Sequence, residues 1–275
     1  MTSLSLSIVC RLRLMKKLPT SILQPLDWLL PAGVGAATTL RSPGLSEGKF
    51  AGLNLGTHVG DDPQAVEQNR QMLSAALGDR VMPVYINQVH GCNVIEINSD
   101  DYRKACLQTA HTNLSSDADV LYTRDQNLAL VIQVADCLPI LLADKNGREV
   151  AAIHAGWRGL AAGIIRHTLE KFESNSLTAW LGPAIGPCHY EVDNAVYDRF
   201  TSTTAFKPCG DNVHWMMSLE TVAKEQLLEA GLDESDIVAT STCTYCHEDY
   251  FSYRREGQTG RFAALIWITS NQASD

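Results

Sequence analysis

Leu128-Ala129-Leu130-Val131-Ile132-Gln133-Val134-Ala135-Asp136-Cys137-Leu138-Pro139 decides the fold class of this chain. From Leu128 to Ala135 only Gln133 is polar, so the strand formed here is covered on both faces, as in a sheet held between other layers. Leu138-Pro139 then reads as the stop that turns the chain, which presents Asp136 and Cys137 at a sheet edge or pocket mouth.

The flanking sequence alternates element types. Pro83 to Val89 and Asn93 to Ile97 read as strands around a His90-Gly91 corner, and Ala118 to Thr123 as another. Ile140 to Ala143 and Glu149 to Ile153 make a hairpin around Lys145-Asn146-Gly147, after which His154 ends the second arm. A helix starts at Asp61-Asp62-Pro63, buries Val66, Leu73, Ala76 and Leu77, and stops at Gly78. Leu160 to Phe172 places Ile164, Ile165, Thr168, Leu169 and Phe172 at helical spacing. Ser218 caps a further helix with Leu219, Val222, Ala223, Leu227 and Ala230 inward and Gly231 as its stop. Ile237 to Thr242 and Phe262 to Ile268 add strands. Hairpins combined with strand–helix crossovers predict an α/β fold with a mixed sheet and helices outside. Residues 1–24 read as an N-terminal tail with Met15-Lys16-Lys17 as an alternative start, and residues 25–275 as a single catalytic α/β domain.

Composition excludes several classes. With 45% hydrophobic and 19% charged residues the chain belongs with globular proteins, and no apolar run approaches the roughly 18 residues of a membrane span. The formal charge of -9 gives no general attraction to nucleic acid or an anionic membrane, so neither is expected as a partner. Arg11, Arg13, Lys16 and Lys17 follow the mildly apolar start, the reverse of a secretory signal. A chain with this much core has little need of a disulfide framework, so the eight cysteines read as reduced thiols of a cytoplasmic protein.

Three ligand-type residues stand at strand ends beside glycine or proline: His90, Cys137 and His154. Two imidazoles and a thiolate make an open zinc site, with the fourth position left for water or substrate. The same residues also suit a Cys137 nucleophile with His90 or His154 as its base. Taken singly, each residue reads as a core or satisfied polar group, and spacings this long are not a local zinc signature. Asp136 is a candidate proton shuttle beside them. The turn His154-Ala155-Gly156-Trp157-Arg158-Gly159 has two glycines that let the backbone approach a ligand. Among Arg41, Arg158, Arg254 and Arg255, candidates for binding phosphate or carboxylate, Arg158 is favoured by that turn. Cys243-Thr244-Tyr245-Cys246 has CxxC spacing, which suits a redox pair or metal clip, but no second CxxC accompanies it, so a structural role for at least one thiol is favoured. Cys188 and His189, in a loop rich in glycine and proline, read as pocket lining; His58, His111, His167, His214 and His247 read as surface or core histidines.

Several motifs together carry a resemblance. Asn54-Leu55-Gly56, His58-Val59-Gly60-Asp61-Asp62, Gln88-Val89-His90-Gly91, Asp117-Ala118-Asp119, Ala135-Asp136-Cys137-Leu138-Pro139, His154-Ala155-Gly156-Trp157-Arg158-Gly159, Gly182-Pro183-Ala184-Ile185-Gly186, Tyr190-Glu191-Val192 and Phe251-Ser252-Tyr253-Arg254-Arg255 follow one another in order. From about Thr38 to Ile268 the chain resembles the bacterial proteins once called polyphenol oxidase or multicopper laccase and now described as purine nucleoside phosphorylases or peptidoglycan editing factors, relatives of laccase domain-containing protein 1. The resemblance implies a layered α/β/β/α fold, a monomer, and zinc on His90, Cys137 and His154, with copper as the alternative metal. It implies phosphorolysis of adenosine, inosine and methylthioadenosine, and adenosine deamination. Arg41, Asn54, Gln88 and Arg158 are its substrate-binding candidates. One departure is Arg41-Ser42-Pro43-Gly44-Leu45-Ser46, where relatives carry Arg-x-Gly-Gly-Val-Ser; the arginine is kept.

Three competitors remain at this point. Copper-dependent phenol oxidation calls for several histidine-rich sites, which eight scattered histidines without His-x-His pairs do not offer. A Cys137-nucleophile hydrolase acting on peptidoglycan precursors uses the same residues without a metal. A metal- or nucleoside-binding protein without catalysis is the third.

Overall fold

The computed structural model describes residues 21–109, 113–211 and 213–270. The tail reading for residues 1–20 and the reading of His111 lie outside them. Two six-stranded sheets pack face to face. The first runs in the order β1 (Leu23–Pro25), β2 (Val34–Thr39), β15 (Phe262–Ile268), β7 (Leu128–Val134), β3 (Met82–Asn87), β5 (Asn113–Asp117). The second runs β14 (Ile237–Ala239), β10 (Leu177–Leu181), β8 (Leu138–Asp144), β9 (Val150–Ala155), β6 (Val120–Thr123), β4 (Val94–Glu96). Each mixes parallel and antiparallel pairs, as expected: β7 is parallel to β3 and antiparallel to β15, while β10 is parallel to β14 and antiparallel to β8.

Three hydrophobic layers result. Val84, Leu130, Ile132, Phe262 and Ile266 of the first sheet meet Leu121, Leu141, Ala152 and Trp180 of the second. The outer face of the first sheet packs Tyr85, Val131 and Leu265 against Leu73 of α1 (Pro63–Leu77). The outer face of the second packs Ile140, Leu142 and Ile153 against Leu160 of α3 (Trp157–Ala161), Ile164 of α4 (Ile164–Leu169) and Val222 of α6 (Leu219–Glu229). This is the α/β/β/α arrangement. Every residue of β7 is buried, which is why its sequence shows almost no alternation.

The element readings need local corrections. Leu138-Pro139 does not stop a strand; it opens β8, so the chain turns at Ala135–Cys137 alone. The predicted helix from Leu160 is two short helices, broken at Gly163, whose φ of 79° is left-handed backbone that an α-helix cannot carry. In α1, Asp62 caps the Gln64 amide as expected, but Ala76 is exposed and the polar Asn69 and Arg70 are buried. Asn69 Nδ2 donates to the Ser46 hydroxyl and the Asn54 carbonyl, and Arg70 Nε to the Leu55 carbonyl, so this helix packs onto a loop through hydrogen bonds. Ala230 is also exposed. β1 begins inside the stretch assigned to the tail and crosses its end at residue 24, and α2 (Ser99–Thr109) and a three-stranded sheet of β11 (Glu191–Asp193), β13 (His214–Met217) and β12 (Phe206–Pro208) were not foreseen. No helix among the described residues is long and apolar enough to cross a membrane.

What positions the site is the way the chain changes sheets. β3 to β4, β5 to β6 and β7 to β8 each pass from the first sheet to the second, and β14 to β15 passes back. Pairing of Leu138 with Ala155, Ile140 with Leu181 and Val134 with Phe262 sets the β7–β8 and β14–β15 crossings and the C-terminal end of β9 at one end of the sandwich.

Leu130 is fully buried at the centre of this construction. Leu130→Ala should cost about 2–5 kcal/mol of stability, read as a lower urea midpoint with an unchanged m-value.

Candidate metal centre and cleft

His90, Cys137 and His154 converge at that end, with their ligand atoms all within 4.8 Å of one another. His90 sits on the β3–β4 crossing, Cys137 on the β7–β8 crossing, and His154 is the next-to-last residue of β9. The His90 and His154 rings meet edge to face, 4.7 Å between centroids.

Asp119, on the β5–β6 crossing, organises both histidines. Its side chain is fully buried and accepts the amides of His90 at 2.9 Å and Gly91 at 2.6 Å, with Val89 at 3.3 Å. It also accepts His154 Nδ1 at 2.7 Å, which leaves Nε2 as the ligand atom and orients the ring. These bonds explain how His90 holds a left-handed φ of 61°, a conformation costly for a side chain with a Cβ. Burial opposes ionisation of Asp119, but the hydrogen bonds from His154 and the backbone outweigh it and hold the carboxyl below its usual range.

The same competition acts on the thiol. Burial would raise Cys137, yet the His154 and His90 imidazoles more than reverse this and bring it down to about 6. Burial would lower His154, but the Cys137 and Asp119 charges lift it to about 9. Without a metal these charges favour thiolate and imidazolium, and a cation binding there would take the place of the His154 Nε2 proton. Gly156 closes the site: a Cβ there would stand 3.1 Å from Cys137 Sγ and 3.3 Å from His90 Cδ2. The second glycine of that turn, Gly159, approaches the Gly91 carbonyl, so both glycines serve packing between the crossings.

The three residues line an open cleft of about 390 Å³. Its walls carry Gln88, Trp157, Tyr190 and Tyr253, and three cations, Arg158, Arg254 and Arg261. Arg158 lies over the Trp157 ring at 4.4 Å, and Arg254 over Tyr190 at 5.3 Å. Burial, followed by the charges of Arg261 and Arg70, lowers His58, which also lines the cleft and so differs from its reading as a bystander.

Three predicted site residues are held by partners of their own, although Asp136 also lines the cleft. Both carboxylate oxygens of Asp136 are engaged, at 2.6 Å by the Thr244 hydroxyl and at 2.6 Å by the Arg254 amide, so this residue, itself at φ 94°, fixes the turn that carries Cys137. Arg41 is paired with Glu256 at 2.6 Å and with the Ala51 carbonyl, away from the cleft lining. Asn54 is fully buried; its Oδ1 accepts the amides of Gly56 and Arg261, so it places the arginine instead of touching the cleft. Gln88 and Arg158 do reach the cleft. Asp119, His58, Arg261, Tyr190 and Tyr253 were not singled out as site residues, although all of them except Arg261 stand inside the quoted motifs.

Comparison with known proteins fits this geometry. Residues 35–269 match the family described as multi-copper polyphenol oxidoreductase laccase. The chain is 38% identical over 250 residues to the purine nucleoside phosphorylase YfiH of Escherichia coli, covering 88% of this chain and 97% of that protein. It is 37% identical over 247 residues to a purine nucleoside phosphorylase of Mycobacterium tuberculosis, covering 84% and 90%. Among solved structures, a Neisseria meningitidis protein superposes with a TM-score of 0.81 at 36% identity, covering 91% of this chain and 100% of the other. YlmD from Geobacillus stearothermophilus gives 0.79 at 34% identity, covering 91% and 100%.

Two outcomes follow. Asp119→Asn should weaken cation binding roughly 10–100-fold, measured by competition with a chelating dye. In chelator-treated protein, alkylation of Cys137 by iodoacetamide should fall away below a midpoint of about 6, because only the thiolate reacts; an unperturbed cysteine has its midpoint at about 8.5, and mass spectrometry of the Cys137 peptide reads the profile.

Proposed function

We propose, because this chain belongs to the multi-copper polyphenol oxidoreductase laccase family, that its cleft carries out phosphorolysis of purine nucleosides, with zinc held by His90, Cys137 and His154. The supporting observation is the joining of that donor set with aromatic walls and three arginines in one cleft. The donor set suits the ion: one thiolate and two imidazoles, with His154 backed by a carboxylate, leave a coordination position open. A divalent cation there would supply a Lewis acid to the substrate.

The chain's own groups account for binding and orientation. Tyr190 and Trp157 offer faces for a purine. Arg158 and Arg254 hold phosphate by charge-assisted hydrogen bonds. In the reaction a phosphate oxygen bonds to ribose C1′ as the C1′–N9 bond breaks, and the base leaves with a proton. His58, kept neutral by burial and neighbouring cations, can carry a proton at the cleft wall, the role first assigned to Asp136. Adenosine, inosine and methylthioadenosine are the proposed substrates; adenosine deamination is a separate reaction in the same cleft, in which water adds at C6 of the purine and the amino group leaves as ammonia to give inosine.

One observation favours a second reading. Cys137, His154 and Asp119 stand in the nucleophile, base and orienting positions of a cysteine hydrolase, and the lowered thiol fits that use. Phenol oxidation finds less support: among the described residues the other metal-capable group has three cysteines and a single histidine, and multi-histidine copper clusters are not formed.

Purified zinc-loaded protein should convert inosine and phosphate to hypoxanthine and ribose 1-phosphate, followed by chromatography. Arg158→Ala should raise the phosphate KM about 10–100-fold, the value of a charged hydrogen bond, with little change in nucleoside affinity. Failure to release hypoxanthine from inosine or inosine from adenosine sinks the proposal, and a trapped acyl-enzyme on Cys137 in metal-free protein would put the hydrolase in its place.

A further inference from the structure

A second group of soft ligands lies outside the His90, Cys137 and His154 set. Cys188 and His189 come from the loop after β10, and Cys243 and Cys246 from the β14–β15 crossing. Their ligand atoms all lie within 4.8 Å of one another. Cys188 Sγ and Cys246 Sγ are 3.7 Å apart, and Cys246 Sγ is 3.4 Å from His189 Nδ1. Around a tetrahedral zinc, bonds of about 2.3 Å to sulfur and about 2.0–2.1 Å to nitrogen set sulfur atoms about 3.8 Å apart and sulfur about 3.6 Å from nitrogen. A disulfide would require about 2.0 Å between the sulfurs.

The surroundings prepare the same geometry. The Gly186 amide donates to Cys243 Sγ at 3.2 Å, which favours a thiolate there. The His189 ring stacks on Tyr245, 3.9 Å between centroids and 14° from parallel, so its Nδ1 is aimed at Cys246 without freedom to swing. Arg255 donates to the carbonyls of Thr244 and Tyr245, which closes the CxxC turn and puts a cation beside a thiolate-rich cluster.

We propose that Cys188, His189, Cys243 and Cys246 form a structural zinc site. Three thiolates and one imidazole fill all four positions, so the site is closed and holds structure without chemistry of its own. Its purpose follows from what the two loops carry. Thr244, between the paired cysteines, donates to Asp136 Oδ1, and the Ile185 amide donates to the Asp136 carbonyl. The Ala184 amide in turn donates to the Thr242 carbonyl. An ion joining these loops fixes the turn that presents Cys137 and the Ile185 and Tyr190 wall of the cleft. This holds whatever reaction the cleft performs.

Zinc per chain, measured by plasma mass spectrometry on protein purified under reducing conditions, tests the assignment. About two equivalents are expected, falling to about one in Cys188→Ser/Cys246→Ser. Cys137→Ala should keep about one equivalent, and X-ray absorption at its zinc edge should show three sulfur ligands and one nitrogen. Should the double variant fail to fold, the Cys137→Ala spectrum decides alone. A Cys137→Ala protein that is zinc-free, or that binds zinc through oxygen and nitrogen only, overturns the assignment. So does recovery of Cys188 and Cys246 as a disulfide-linked peptide from reduced preparations.

Discussion

A buried carboxylate holds the functional end of this protein together. Asp119 sits at zero exposure, where an unpaired negative charge would be costly, and it is compensated by three backbone amides of the 89–91 turn and by His154. Each of those partners belongs to a different part of the chain from Asp119 itself. One side chain thus ties the β3–β4 and β5–β6 crossings to the end of β9, and it does so through bonds whose loss would leave a charge in the interior. The left-handed backbone of His90 and the orientation of His154 both depend on it.

The architecture makes such an organiser necessary. A sandwich whose strands alternate between two sheets must bring its crossings out at the ends, where backbone groups lose their ladder partners. Here the crossings satisfy one another: the Ala118 amide donates to the Asn87 carbonyl, the His154 amide to the Asp119 carbonyl, and the Arg254 amide to the Asp136 side chain. The cleft is the space left between crossings that hold each other in place. The solved relatives at 34–36% identity superpose on this frame over their full length.

How much of this the sequence displays depends on the range of the interaction. β7 and the β8–β9 arms are visible because burial on both faces, or a turn around Gly147, leaves a mark within a few residues. The strand-end positions of His90, Cys137 and His154 are visible for the same reason. Their meeting is not, because it depends on which sheet each crossing joins. Asp119 looks like any acidic residue before a strand; its significance lies in amides some thirty positions upstream and an imidazole thirty-five positions downstream. Asp136 and Arg41 look available in the sequence and are engaged in the fold, because their partners, Thr244, Arg254 and Glu256, are more than a hundred residues away. Cys188 and His189 are separated from Cys243 and Cys246 by a whole subdomain of strands and helices, so CxxC spacing reveals only half of that cluster.

The place of β15 has a consequence for how the protein is made. It lies between β2 and β7 in the middle of the first sheet, yet it is synthesised well after both. Until Phe262–Ile268 leave the ribosome, the almost wholly apolar β7 has an open edge on that side and the first sheet is split in two. From the synthesis of β7 until that of β15, about 130 residues later, the nascent chain therefore carries an open adhesive edge. Its closure by so distant a segment is the kind of non-local pairing that folds slowly and favours protection from neighbouring chains.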